Sequence, residues 1–465
     1  KKVLIFEILV YLRNQEKKMK LKLLAPVILF ILIVNPSYSV SEQEFNEMKE
    51  LLQNALIKIN ALEQLQKQNL SNNKSNVITK ADKLSINTSG GGIKIKSGDQ
   101  KFAIGGRLMM DYDNMDSGHQ TENKSFSDME WRRTRINIKG SVNKHWSYQA
   151  TWDFLSEGDN ANLDEGYLKY DTTKGFYVTF GKTKADMMLE QRTSSKWIST
   201  IERGLLNAMN EKVNYLVGKP GDGAGIKLGF YNKENRLSGA LSVYDAYKDD
   251  TDDDNDMIWH TTARLNYSPK IGNDFAHFGV SYGVADYKGE AANAELQIGI
   301  HQGDKTMLAD AAAGDITTWG LEAAYVSGPF SVQAEYFDND TELVNGSKGY
   351  EWDGFYGQLS YVVTGETRGY KWKGAIFDKI KPKGKMGAVE FVLRYEDISI
   401  DDADEGTVAA SEVDVDRTVI GLNWYVTKTV KFMANYSSVS MDNQANPGGT
   451  TEDLDSVQLR AQYAF

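Results

Sequence analysis

The last ten residues, Ser456-Val457-Gln458-Leu459-Arg460-Ala461-Gln462-Tyr463-Ala464-Phe465, decide the fold. Apolar or aromatic side chains alternate with mainly polar ones, and the segment ends on an aromatic ring. Successive side chains of a strand point to opposite faces, so this period of two predicts a strand with one apolar face. Segments 389–396 and 430–436 repeat the pattern. A soluble sandwich also alternates, but many such strands favour a membrane barrel with one face toward lipid and one toward water.

Upstream, the same alternation continues from about residue 101 and predicts sixteen strands, an even number as a bacterial single-chain barrel needs. Short turns would lie at one end, and long polar loops such as 182–211 and 288–314 at the other. Sixteen strands also predict an aqueous lumen. The connection 364–385 is long although it falls at the short-turn end, and the pattern does not explain it. The predicted strands are 101–112, 129–142, 145–155, 163–171, 175–181, 212–231, 236–247, 256–267, 275–287, 315–326, 330–338, 350–363, 386–398, 416–426, 429–440 and 455–465.

The composition agrees with an all-β chain and argues against metal chemistry. Aromatic residues make up 11% of the 465 residues, and 41 glycines stand against 7 prolines, which favours strands and tight turns. The chain has no cysteine, and its five histidines form no local metal pair. The acidic run 249–256 lacks the glycine and distal glutamate of a calcium-binding loop, so a solvated loop is preferred over a Ca²⁺ or Mg²⁺ site. No cofactor is predicted.

Residues 1–39 are predicted to hold upstream residues and an export signal. Met19-Lys20-Leu21-Lys22 supplies a positive start, Leu23 to Val34 is largely apolar, and Ser37-Tyr38-Ser39 offers the small residues of a cleavage site. The mature chain would then begin at residue 40. The alternative is a transmembrane anchor, which the short apolar run and the adjacent cleavage site disfavour.

Residues 40–70 are predicted to form a short coiled-coil helix, joined by a linker at 71–92 to a barrel at 93–465. Within 45–69, apolar residues recur at alternating spacings of three and four, which is a heptad pattern. The alternative is a single amphipathic helix lying on another surface. The segment 70–90 is rich in Asn, Ser, Lys and Thr, which is typical of a flexible linker.

The charge balance excludes one class of partner. Without residues 1–39, which hold seven of the 53 Lys and Arg and two of the 64 Asp and Glu, the formal net charge is −16. An acidic surface repels phosphate backbones, so nucleic acid is not expected as a partner.

The loop 182–211 is predicted to fold back into the barrel. From Ser194 to Met209 its apolar residues recur at a helical spacing, and a loop that buries such a face would narrow the pore. The alternative is a helix packed on an external loop.

Alternation also predicts which charges line the lumen. If Leu108 faces lipid, Arg107 faces inward, and the next strand places Arg133 and Arg135 inside. Arg132 is adjacent to Arg133, so both can face the lumen only if a β-bulge intervenes. Rows of guanidinium groups offer paired hydrogen bonds to phosphate or carboxylate, as in anion pores. The alternative is an ordinary polar lumen. Lys94 and Lys96 precede the first strand and either hold anions at the exit or are simply solvated.

Several motifs, in order over roughly residues 90–465, resemble the phosphate-selective porin O and P family. The most distinctive are Ser194-Ser195-Lys196-Trp197 and the segment from Gly374 to Pro382. The others are Gly105-Gly106-Arg107-Leu108, Asp111-Tyr112, Trp131-Arg132-Arg133, Glu202-Arg203, Tyr361 to Glu366, Gly421-Leu422-Asn423-Trp424-Tyr425 and the final Gln462-Tyr463-Ala464-Phe465.

The resemblance implies a trimeric, sixteen-stranded outer-membrane channel for phosphate or polyphosphate. It implies that the arginines would replace part of the anion's hydration, that serine hydroxyls would donate hydrogen bonds, and that Asp164 would weaken binding enough for release. The chain departs from the family where Gln191 replaces a central lysine with Arg192 beside it, and where Arg135 replaces an aromatic residue. Arg264 remains of an external arginine row. The predicted anion site comprises Arg107, Arg132, Arg133, Arg135, Asp164, Arg192, Ser194, Ser195, Lys196, Arg203 and Arg264.

The sequence therefore predicts a porin of the bacterial outer membrane that passes small anions, phosphate above all. It would form a homotrimer and contact membrane lipid and lipopolysaccharide. One alternative is a general or cation-preferring diffusion porin, which the acidic mature chain would suit. Another is a structural barrel whose N-terminal helix tethers the outer membrane to a second envelope layer. An enzyme is not expected, because no Ser and His pair can be placed on one wall.

Overall fold

The computed structural model describes residues 84–117, 125–155, 162–212, 224–246, 258–286, 291–297, 300–301, 305–343, 348–402, 412–443 and 450–465. The predicted export signal, the predicted coiled coil and the acidic run 249–256 lie outside these residues. So does the predicted linker up to residue 83.

Sixteen antiparallel strands form a closed barrel, in which each strand pairs with its neighbours in sequence and the last pairs with the first. The predicted number and order of strands are confirmed. The strands are β1 (Gln100–Ser117), β2 (Phe126–Ser141), β3 (Trp146–Asp153), β4 (Asn162–Asp171), β5 (Phe176–Lys182), β6 (Gly225–Asn232), β7 (Leu237–Ala246), β8 (Ile258–Tyr267), β9 (Asp274–Asp286), β10 (Lys305–Ser327), β11 (Phe330–Leu343), β12 (Lys348–Val362), β13 (Ala388–Asp402), β14 (Glu412–Tyr425), β15 (Val430–Asn443) and β16 (Thr450–Ala464).

The two faces of the strands differ as the alternation requires. In β13, Phe391 and Leu393 are about half exposed on the outer face, whereas Val392 and Arg394 are buried on the inner one. The C-terminal residue completes the closure, because the amides of Phe465 and Gly106 donate to each other's carbonyl oxygens at 3.1 and 2.9 Å. A closed barrel leaves no strand edge unpaired, which is what a chain in lipid needs.

Short elements complete the described fold. Two helices, α1 (Leu189–Arg192) and α2 (Leu205–Lys212), lie between β5 and β6. No helix in the described ranges is both long and apolar enough to cross a membrane. The remaining strands are Ser85–Asn87 and Ile93–Ser97, which form a hairpin beside β1, then Lys270–Ile271, Ala291–Gln297, Gly369–Lys371 and Ile376–Asp378. The first of these strands lies within the segment predicted as linker.

Two predicted boundaries are wrong. The strand predicted at 212–231 begins at Gly225, and residue 212 belongs to α2. The segment predicted as the loop 288–314 contains a hairpin, in which Ala291–Gln297 pairs with the first part of β10.

Residues 183–212, here called the inward loop, fold into the lumen as predicted. The hydroxyl of Ser199 donates to the carboxylate of Glu390 at 3.0 Å, and Asn423 donates to the Ser199 carbonyl at 2.7 Å. The helix predicted from Ser194 to Met209 is wrong for 194–204, which contain no helix. There, hydrogen bonds to the barrel wall satisfy backbone groups that a helix would satisfy internally.

The long connection 363–387, here called the inserted hairpin, folds into the lumen from the other end of the barrel. Phe377 in its second strand is buried against Leu189, Ala324 and Val326. Its amide donates to the hydroxyl of Thr193 at 3.2 Å, which joins it to the inward loop. Packing inside the lumen accounts for a length that the sequence pattern left unexplained.

Candidate functional site: the pore constriction

A β-bulge turns two adjacent arginines toward the same carboxylate. The pairing of β1 with β2 shifts between Met109 and Met110, so Arg132 is the extra residue of the bulge that the two adjacent arginines required. Both nitrogens at the end of Arg133 donate to Glu202 of the inward loop at 2.9 Å. Arg132 approaches the same carboxylate from its side, with two contacts of 3.1 Å.

A third guanidinium, from Arg460 on β16, completes this cluster. It donates to Glu202, to the carbonyl of Ile201 and, through two nitrogens at 2.7 and 2.5 Å, to Asp111. Burial alone would raise the pKa of Glu202, but Arg132, Arg133 and Arg460 hold it well below its usual range. We name Arg132, Arg133, Arg460, Asp111 and Glu202 the arginine–carboxylate cluster.

Arg107 lies one step along the wall from this cluster, opposite Arg135 in the register of β1 and β2. It donates to the hydroxyl of Ser195 on the inward loop. In the described part of the chain, its guanidinium forms no ion pair with a carboxylate. Ser194 precedes Ser195 in the chain and is half-buried. Of the two predicted serines, the structure thus shows Ser195 in contact with Arg107.

Lys196 adds a second cation next to Arg107. Its amine lies 5.8 Å from the centre of the Trp197 ring. The amine of Lys379, from the inserted hairpin, lies 5.7 Å from the centre of the same ring. Burial, followed by the positive charges of Arg107 and Lys139, lowers the pKa of Lys196 to about 7. Its charge therefore changes near neutral pH.

Arg135 and Asp164 form a pair of their own. Arg135 donates to Asp153 at 2.6 Å and to Asp164 at 2.5 Å, and all three side chains are largely buried. Asp164 thus removes positive charge from the constriction by neutralising a neighbouring arginine.

The other three predicted cations serve the internal structure. Arg192 donates to the Lys184 carbonyl and lies 3.4 Å from Asp186, and Arg203 donates to the carbonyls of Glu190 and Thr193. Arg264 forms two bonds to Glu322 and two to carbonyls of the inserted hairpin. The structure does not bring these three together with Arg107, because their donors are already engaged in holding the loops.

Wall carboxylates fix both helices of the inward loop. Glu335 accepts from the amides of Leu189 and Glu190 at the start of α1, and Glu396 accepts from the amide of Leu205, at 2.6 Å, at the start of α2. The first amides of a helix have no partner inside it, so these carboxylates satisfy donors that would otherwise be buried unpaired.

Arg394 on β13 links the carboxylates that hold the inward loop to the wall. It donates twice to Glu190, at 2.6 and 3.1 Å, and also to Glu396, and its side chain is fully buried. Gly204 has to be glycine, because a Cβ there would collide with the guanidinium of Arg394. We name Glu190, Arg394 and Glu396 the loop anchor.

Comparison with known proteins agrees with this description of a barrel that holds an inward loop and cationic side chains. The model of the phosphate-selective porin O and P family matches residues 102–465. The chain belongs to this family. The predictions of a porin in the bacterial outer membrane, and of a channel for anions, are thereby confirmed.

Among relatives, Porin O of Pseudomonas aeruginosa is 32% identical to this porin in an alignment of 409 residues that covers 81% of this chain and 91% of that protein. An uncharacterised protein of Caulobacter vibrioides is 25% identical over 74% of this chain and 70% of its own length.

Solved structures agree on the fold. An anion-selective porin from Comamonas acidovorans aligns with a TM-score of 0.52 over 79% of this porin and all of that chain, at 11% identity. OmpT of Vibrio cholerae aligns with a TM-score of 0.51 over 80% and 99%, also at 11% identity.

Sequence reasoning assigned no role to several residues that hold this part of the lumen together. Arg460 could have been found, because alternation places it on the inner face of the last strand. Glu202 stands in a recognised motif, but no local signal marks its carboxylate as the partner of three arginines. The loop anchor joins residues about 200 positions apart, and no periodicity reports such a contact.

Proposed function

We propose that this porin passes phosphate and similar small anions through a constriction at Arg107, Ser195 and Lys196. The observation that carries the proposal is the pair of cations, Arg107 and Lys196, which meet in the lumen without an ion-paired carboxylate among the described residues. Their donors can replace part of an anion's hydration, as cationic pore linings do.

The neighbouring carboxylates keep the affinity modest. Asp164 neutralises Arg135. In the arginine–carboxylate cluster, Asp111 and Glu202 neutralise most of the charge of the three arginines. Conduction requires that an ion bind well enough to enter and weakly enough to leave. Two uncompensated cations among several paired ones suit that balance.

Lysines continue the path toward the periplasmic end. A cavity of about 560 Å³ lies between the first hairpin and the wall, and Lys94, Lys96, Lys101 and Lys139 contribute to its lining. These amines would attract an anion that has passed Arg107 and release it to the periplasm, because exposed lysines bind anions weakly in water.

The zero-current potential across a KCl gradient in a planar bilayer tests this proposal. We expect a potential that favours chloride at about pH 6, and a weaker preference at about pH 8.5, because Lys196 loses its proton near pH 7. The Lys196→Arg variant stays charged and should keep the same preference at both pH values.

Two results would contradict the proposal in different ways. A potential favouring potassium at the lower pH would mean that the acidic side chains dominate, as in a cation-preferring porin. A chloride preference that changes equally with pH in wild type and in Lys196→Arg would remove Lys196 from the site.

We further propose that the chain assembles as a homotrimer with lipid and lipopolysaccharide around it. The half-exposed outer apolar face supports lipid contact, and a coiled coil at 40–70 would join chains at their N-termini. One structure of the same fold, at a TM-score of 0.50, is described as the trimer form of Vibrio cholerae OmpT. Native mass measurement should give three chains of 52.1 kDa, less any cleaved signal, and a single-chain mass would overturn this.

A further inference from the structure

The Glu202 carboxylate lies among guanidinium groups in the lumen, in the way that a bound anion would. Its carboxylate is gripped from two directions by two-nitrogen contacts, from Arg133 at 2.9 Å and from Arg132 at 3.1 Å, and Arg460 donates to it as well. Paired donation by guanidinium groups is how proteins hold free phosphates and carboxylates.

The open side of the arginine–carboxylate cluster is the side of Glu202. The side chains of Arg133 and Arg460 are 5% and 0% exposed, whereas that of Glu202 is 19% exposed and that of Arg132 is 16%. A solute in the lumen therefore reaches Glu202 and Arg132, and it reaches the deeper guanidinium groups of Arg133 and Arg460 by taking the place of the carboxylate.

The cluster keeps a positive charge with Glu202 in place, and the charge would increase without it. Within the cluster, three guanidinium groups face two carboxylates, a formal charge of +1, and the nearby Glu130 carboxylate acts on Arg132 from outside the cluster. Removal of the Glu202 charge would leave +2 and free a set of donors arranged for two or more oxygen atoms.

The backbone around Glu202 is held by other groups. Arg460 donates to the carbonyl of Ile201, the hydroxyl of Thr200 donates to the carbonyl of Glu202 at 2.7 Å, and Gln462 donates to the carbonyl of Lys196 at 3.3 Å. The fold of the inward loop therefore does not depend on the Glu202 carboxylate alone, and the charge can be removed with the loop in place.

We infer that Glu202 is a tethered competitor, a built-in carboxylate that fills an oxyanion-binding site of three arginines and so sets how tightly the pore holds a permeating anion. The inference rests on the proposed function and identifies a second anion position, above that of Arg107. Its ligands are oxyanions such as phosphate and small carboxylates, because these match the paired donors that Glu202 now occupies.

The test is the Glu202→Gln variant in planar bilayers, with block of the chloride current by inorganic phosphate and, separately, by acetate. We expect the phosphate concentration for half-block to fall roughly tenfold or more. We also expect acetate to block the variant at concentrations that leave wild type unaffected, because a charged carboxylate can displace a neutral amide from the three guanidinium groups. A loop that had merely moved would raise the conductance for all ions without acetate block.

Glu322→Gln is the matched control, because it removes one carboxylate from a fully buried pair with Arg264. Equal gains in the two variants would mean that total lumen charge explains the effect, and the inference would be overturned. If Glu202→Gln does not fold, Glu202→Asp shortens the side chain by one methylene and should show the same effects in weaker form.

The outcomes separate this inference from the proposed function. Phosphate block of wild type that is unchanged in Glu202→Gln and Glu202→Asp overturns the inference and leaves the proposed function standing. A wild type without phosphate block, with a variant that phosphate and acetate both block, overturns the proposed phosphate passage and supports the tethered competitor.

Discussion

Replacing Arg394 with alanine is expected to release the inward loop and to raise the single-channel conductance several-fold. The guanidinium forms ion pairs with Glu190 and Glu396, both buried, and Arg417 shares Glu396. The ring of Tyr356 packs on the guanidinium with its centre 3.7 Å away. Removing one member of a buried ion pair leaves a charge uncompensated, at a cost of roughly 3–5 kcal/mol. Much of that cost is avoided if the loop leaves the wall, which widens the pore.

The barrel itself should survive this change, because residue 394 takes part in the strand ladders through its backbone, which alanine retains. Lys233→Ala is the control, since it removes a cation that is exposed in the short turn between β6 and β7. Its conductance should equal that of wild type. A normal conductance in Arg394→Ala, together with resistance of the loop to added protease, would show that the remaining contacts hold the loop.

Replacing Arg107 with alanine is expected to abolish most of the phosphate block. Hydrogen bonds to a charged group are worth about 1.5–3 kcal/mol, so the half-block concentration should rise roughly tenfold or more. Arg107→Lys keeps the charge but loses the planar arrangement of donors, so its half-block concentration should lie between those of wild type and Arg107→Ala. The measurement is the titration of chloride current with phosphate.

Lys101→Ala is the control for Arg107→Ala, because Lys101 lies on the inner face of the same strand, exposed near its periplasmic end. It should change the half-block concentration little. Similar losses in both variants would mean that general attraction of anions, and not the constriction, controls the block. Arg133 and Arg203 are weaker targets, because Glu202 occupies the first and backbone carbonyls occupy the second.

Part of the site could be predicted because it follows from strand geometry. Alternation placed Arg107 and Arg133 inside, and the adjacency of Arg132 and Arg133 implied the bulge that the register shows. Helical spacing in the inward loop led to a wrong helix, because Ile198 and Ile201 are buried by packing in an irregular segment. The spacing of apolar residues shows that they are buried, but it does not show whether the backbone that carries them is helical or irregular.

The sequence by itself determined the barrel, its sixteen strands, its inner and outer faces and its family, because these depend on local periodicity and on contiguous motifs. The tertiary structure alone decided which cations remain without a carboxylate. Glu202 reaches Arg133 across 69 positions and Arg460 across 258, and Glu190 reaches Arg394 across 204. Closure of the barrel brings these charges together, and among the described residues of the candidate constriction the pairing of opposite charges leaves Arg107 and Lys196 without an ion-paired carboxylate.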